Sequence, residues 1–86
     1  MPTISSFFGI VVQMYYDDHN PPHFHAIYGE EHVLIKIEDL SIIAGQLSPR
    51  ALGLVVEWAS LHKDDLIRDW ELARARQPLF GINPLK

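Results

Sequence analysis

The chain has 86 residues, 48 % of them hydrophobic and 21 % charged, with no cysteine and a formal net charge of −4. That length holds one hydrophobic core and one domain, 1–86, and the composition is that of a folded chain. The negative balance argues against a dedicated nucleic-acid coat. The lack of cysteine excludes disulfides, thiolate metal sites and a cysteine nucleophile, as suits a cytoplasmic protein. A core this small stabilises only marginally, so a small partner protein or a second copy of the chain is expected.

The N-terminal MPTISSFFGIVVQMYY contains an apolar run with no basic region ahead of it. Gln13 interrupts the run and no small-residue cleavage site follows, so it reads as neither a signal peptide nor a membrane span. Phe7 to Tyr16, rich in β-branched and aromatic residues, predicts a buried strand. Asp17-Asp18-His19-Asn20-Pro21-Pro22 breaks it. Asn20 precedes a proline and is pushed towards extended backbone, and Pro22 cannot donate to a ladder. The prolines therefore belong at a strand entrance or a sheet edge.

His23–Tyr28 and His32–Glu38 read as a hairpin around Gly29-Glu30, with glycine first, as a type II′ turn demands. Setting Tyr28 opposite Glu31 pairs Ala26 with Val33 and Phe24 with Ile35. Phe24, Ala26, Val33, Ile35 and Ile37 then share one apolar face, and His23, His25, Ile27, His32, Leu34 and Lys36 share the other. Turn chemistry and apolar matching agree, so the histidines are expected to point away from the main core.

Leu40 to Ala44, ending at Gly45, predicts a fourth strand. Ser48-Pro49 supplies an N-cap and a first-turn proline. From Pro49 to Leu61 the polar positions Arg50, Gly53, Glu57 and Ser60 fall on one face, and so broad an apolar remainder calls for burial on two sides. His62-Lys63-Asp64-Asp65 marks a break and a second start. The second helix runs to about Arg76, with Leu66, Trp70 and Ala73 inside and Arg74 and Arg76 at its C-terminal end. One long helix is the competing reading, because Asp64 and Glu71 continue the polar face. Leu79–Lys86 reads as an extended apolar tail. The expected fold is α+β: a three- or four-stranded, mainly antiparallel sheet (β-β-β-β-α-α) with two C-terminal helices packed on one face.

Core-building does not explain the stretch from His19 to Tyr28, which holds three of the five histidines beside Pro21-Pro22. His23 and His25, at i and i+2 on a strand, project from one face roughly 6–7 Å apart. Two such imidazoles can share a metal ion, with His19, Asp17 or Asp18 swinging in from the loop. His19, His23 and His25 plus water would suit zinc or another transition metal. The same groups could do metal-free acid–base work, with His23 or His25 as base and Tyr15, Tyr28 or Lys36 stabilising charge. The plainest alternative is two surface strand residues whose rings cover Leu34 and Ile27. Trp58 and Trp70 are expected in the core, His62 as a cap or packed aromatic, and the arginines, interleaved with acids, on a solvated helix face.

Together these residues resemble a known family. M-Y-Y-x-D-H-N-P-P-H-F-H-A-I-Y-G, followed by G-Q-L-S-P-R, W-A-x-L-H and D-L-I-R-D-W, is similar to the small bacterial proteins grouped as domain of unknown function 4160. The likeness runs from about Ile10 to Trp70. Its signature corresponds here to Met14, Tyr15, Asp18, His19, Pro21, Pro22, His23, Phe24, His25, Ala26 and Tyr28, with Gly45, Arg50, Trp58 and Trp70 downstream. The resemblance implies a short bacterial α+β domain without an established activity, often encoded beside another small protein and in some cases grouped with toxin–antitoxin components.

The expected function is accordingly a protein-partner-binding module, one half of a toxin–antitoxin-like pair. His19, His23 and His25 would form its functional surface, with Tyr15, Asp18, Tyr28 and Lys36 beside them. In a toxin, His23 and His25 would be the ribonuclease-type acid–base residues. The alternatives are a zinc- or other transition-metal protein using the same histidines, and a structural homodimer without chemistry.

Overall fold

The computed structural model describes residues 2–86. Strands β1 (Thr3–Phe7), β2 (Ile10–Gln13), β3 (His23–Tyr28), β4 (Glu31–Lys36) and β5 (Ile42–Gly45) precede helices α1 (Pro49–Leu61) and α2 (Lys63–Arg74). All five strands form one antiparallel meander in sequence order. The α+β class and the two C-terminal helices are as expected.

The strand number is not: the sheet has five strands where three or four were expected. Phe7 to Tyr16 is not one strand, because Phe8 (φ 50) and Gly9 (φ 81) turn the chain back and make a β1–β2 hairpin. Two successive positive φ angles are the requirement of a type I′ turn, and only one of the two residues is a glycine. The serines of β1 hide its strand character, yet its Ile4 and Phe7 are core residues. Strand β5 starts at Ile42, not Leu40. Leu40 takes φ 60 in a turn where the Asp39 carboxylate accepts the Ser41 N–H at 3.0 Å. The β3–β4 register is as expected, Tyr28 opposite Glu31, Ala26 opposite Val33 and Phe24 opposite Ile35, around Gly29 at φ 60.

The core lies between one sheet face and the helices. Ile10, Val12, Met14, Phe24, Ala26, Val33, Ile35 and Ile37 meet Val55, Trp58 and Ala59 of α1, and the Trp58 ring lies 5.4 Å from Phe7 and 6.0 Å from Phe24. Ser48 occupies the N-cap position of α1, but its hydroxyl makes no cap bond. Its N–H donates to Glu31 Oε1 at 2.9 Å instead. His62 (φ −131) separates the helices and packs 5.7 Å from Trp58, settling the choice for two helices. Helix α2 buries Leu66, Trp70 and Ala73 and, unexpectedly, Asp69. Asp69 Oδ1 accepts the Phe80 N–H at 2.9 Å. The tail beyond is docked: Ile82 N–H donates to the Ile4 carbonyl at 2.7 Å and Trp58 Nε1 to the Asn83 carbonyl at 2.8 Å. Among the described residues no helix is long and apolar enough to cross a membrane.

Candidate metal centre

Strand β3 begins directly after Pro21-Pro22, and the Asn20–Pro21 peptide bond is cis. His23 pairs with Lys36, while His25 sits between Gln13 of β2 and Leu34 of β4. Strand alternation points both imidazoles to the face opposite Phe24 and Ala26. Both are nevertheless buried, at 5 % and 6 % exposure, so they are not the open surface residues that the plainest alternative made of them.

Three neighbours cover them. The Tyr15 ring stacks on His25, centroids 4.1 Å apart and planes 19° apart. Trp70 of α2 comes within 5.2 Å of the His23 ring. The loop between β2 and β3 folds back to set the Asp18 carboxylate against both imidazoles. Arg76 pairs with Asp17, and Arg74 Nη1 lies 3.4 Å from Asn20 Oδ1, so the end of α2 holds that loop in place.

Asp18 Oδ2 lies 3.0 Å from His23 Nε2 and 3.2 Å from His25 Nε2, while Oδ1 accepts the His19 backbone N–H at 2.8 Å. His23 Nδ1 lies 2.8 Å from the Pro21 carbonyl oxygen. A carbonyl only accepts, so Nδ1 carries the hydrogen and a neutral His23 holds its lone pair on Nε2. That nitrogen is buried, and its short contact with Asp18 is out of line for a hydrogen bond; among the described residues it has no partner. A lone pair held so close to a carboxylate oxygen is repulsive until a proton or a cation stands between them. His25 Nδ1, on the far side of its ring, lies 2.9 Å from His32 Nε2.

The protonation states suit a cation. Burial pulls the His25 pKa down, and the charges of His23 and His32 add to it against the Asp18 hydrogen bond, so the ring is neutral at neutral pH. For Asp18, burial pushes upward, but the His19 N–H, the His25 hydrogen bond and the two imidazoles together hold its carboxyl below the ordinary range. A carboxylate beside the neutral His25 ring is the form in which these two groups ligate metals. One ligand atom from each of Asp18, His23 and His25 lies within 4.8 Å of the other two. Donors around a tetrahedral zinc, each bound at roughly 2.0–2.1 Å, stand about 3.3 Å apart. The two Asp18 contacts, at 3.0 and 3.2 Å, are close to that spacing.

Of the residues expected at the site, the structure brings together His23, His25, Asp18 and Tyr15. His19 is exposed and turns only its backbone N–H towards the cluster, and its neighbour Asp18 supplies the third donor. Tyr28 is at the other end of β3, opposite Ile10. Lys36 lies opposite His23, but its Nζ is directed to Glu38 at 3.8 Å. Two members were missed. Trp70 is buried as expected, yet against His23. His32 is a diagonal neighbour of His25, their rings 5.1 Å apart, which the β3–β4 register already contained.

A family described as domain of unknown function (DUF4160) matches residues 9–71, a span that includes the whole cluster. No curated protein and no solved structure matches the chain.

Proposed function

The chain belongs to the DUF4160 family, and we propose that it is a transition-metal-binding protein whose Asp18, His23 and His25 hold one divalent ion. The observation that carries this is the His23 Nε2 atom, buried without a hydrogen bond although a carboxylate oxygen lies 3.0 Å away. The Pro21 carbonyl, holding the His23 Nδ1 hydrogen, orients the ring as the outer hydrogen-bond partners of metal-bound histidines do. Two nitrogens and one carboxylate oxygen suit zinc and other first-row divalent ions. Three protein ligands leave a position for water or for a donor group of a substrate or partner.

The test is the metal content of protein purified without a histidine tag, measured by inductively coupled plasma mass spectrometry beside a His23→Ala/His25→Ala variant. About one equivalent of metal, lost in the folded variant, is expected. A metal-free wild type, or a variant that keeps its metal, overturns the proposal.

Partner binding, as in a toxin–antitoxin-like pair, is the second reading, and one observation favours it. β5 is an edge strand whose Ile42 and Ile43 are 46 % and 43 % exposed, leaving unpaired backbone groups beside apolar side chains. Such an edge suits a small protein, or a second copy, that adds a strand. An Ile43→Asp variant that forms every complex the wild type forms, by size exclusion with light scattering, would remove that support.

A further inference from the structure

The three histidines of the β3–β4 hairpin differ in kind. His23 and His25 are buried and face Asp18, whereas His32 is exposed and touches the cluster only through His25, with Nε2 at 2.9 Å from His25 Nδ1. Resting on the metal site proposed above, we infer that His32 is the positioning residue of that site: when an ion takes His25 Nε2, His32 Nε2 accepts the His25 Nδ1–H and holds the tautomer that ligation requires.

The alternative arrangement runs the other way. Without an ion, the hydrogen bond from His25 Nε2 to the Asp18 carboxylate, 3.2 Å away, keeps the hydrogen on Nε2, and Nδ1 accepts from His32; an ion at Nε2 displaces that hydrogen to Nδ1, where His32 Nε2 must accept it. Neutral imidazole has one donor and one acceptor nitrogen, so the hydrogen-bond partner of Nδ1 decides what Nε2 can do. The two buried histidines are thereby oriented by different acceptors, His23 by the Pro21 carbonyl at 2.8 Å and His25 by a side chain from the neighbouring strand.

His32 is itself held by the backbone. It lies opposite Ile27 in the β3–β4 ladder, and its carbonyl accepts the Gln46 N–H at 3.1 Å. Gly45 (φ +78) packs so closely on that carbonyl that any side chain there would collide with it. The β4–β5 pairing therefore fixes the backbone from which the His32 ring projects. The Tyr15 ring, stacked on His25, restricts rotation of His25 but offers no bond to Nδ1.

The experiment is zinc affinity, by competition with a chromophoric chelator, for wild type, His32→Ala and His32→Gln, with a thermal melt of each metal-free protein. Glutamine is included because its side-chain carbonyl can accept the same hydrogen. Loss of the hydrogen-bond partner of a ligating histidine typically weakens a site about 10–100-fold. That loss is expected for His32→Ala, with most of it restored in His32→Gln and little change in the metal-free melts. Unchanged affinity in His32→Ala overturns the positioning role while the metal site stands. Equal loss in both variants would show that a hydrogen-bond acceptor at that position does not account for the effect, and also overturns that role. A wild type that binds no zinc removes the site itself and this inference with it.

Discussion

Replacing Asp18 with asparagine keeps the size of the side chain and removes the one charged donor of the cluster, so its effects with and without metal can be separated. Zinc at a hundredfold excess over its dissociation constant stabilises a folded protein by about 2.7 kcal/mol. In a domain of this size each kcal/mol moves the melting temperature by about 4–8 °C, so zinc should raise the wild-type midpoint by about 11–22 °C. In Asp18→Asn that rise should nearly vanish.

Without metal the variant loses the charge from the hydrogen bond with His25 at 3.2 Å, while the asparagine carbonyl can still take the His19 N–H. A hydrogen bond to a charged group contributes about 1.5–3 kcal/mol. Since solvent reaches part of Asp18, the loss should fall below that range, roughly 1 kcal/mol, or a few degrees. The pH dependence has a definite sign. Asp18 is held below the ordinary carboxylate range in the fold, so its contribution is present above that range. It is lost as pH falls through the folded value, and the asparagine variant should lack that part of the acid slope. Circular-dichroism melts of chelator-stripped protein with and without zinc provide the assay. Zinc that stabilises Asp18→Asn as much as wild type would place the ion elsewhere and refute the reasoning.

Other outcomes follow from the scaffold. Gly45→Ala should destabilise severely, because a Cβ at φ +78 would run into the His32 carbonyl, and the melt should show it; a wild-type midpoint would contradict the close β4–β5 approach. Burial raises the pKa of Asp69, so the fold holds that proton more tightly than the unfolded chain does. Stability should therefore fall as pH rises from the ordinary carboxylate value through the raised one. Urea titrations of Asp69→Asn should lack that fall. Trp58→Phe removes the bond to the Asn83 carbonyl and should speed hydrogen exchange at the Ile82 amide, which donates to Ile4; equal exchange would show that the tail is docked without it.

What could be read from the residues is uneven, and for physical reasons. The β3–β4 register was legible because Gly29 and the alternation of Phe24, Ala26, Val33 and Ile35 demand the same pairing. The β1–β2 hairpin was not, since Phe8 takes a positive φ that its side chain gives no reason to expect and two serines interrupt the apolar pattern of β1. The direction of His23 and His25 followed from strand period. Their burial did not, because the cover comes from Tyr15, from the loop carrying Asp18 and from Trp70, more than forty residues downstream. Asp18 and His19 are adjacent in an irregular loop. No periodicity there decides which side chain turns inward, and the carboxylate does so while the imidazole stays in solvent. His32 lay on the expected face. Its role needed the diagonal register as well as the face.

The most direct measurement is an anomalous difference map at the zinc absorption edge from crystals grown with equimolar zinc. A single strong peak bonded to Asp18 Oδ2, His23 Nε2 and His25 Nε2 is the predicted result. Ordered zinc only at surface carboxylates, with His23 Nε2 still unligated, would contradict the metal centre.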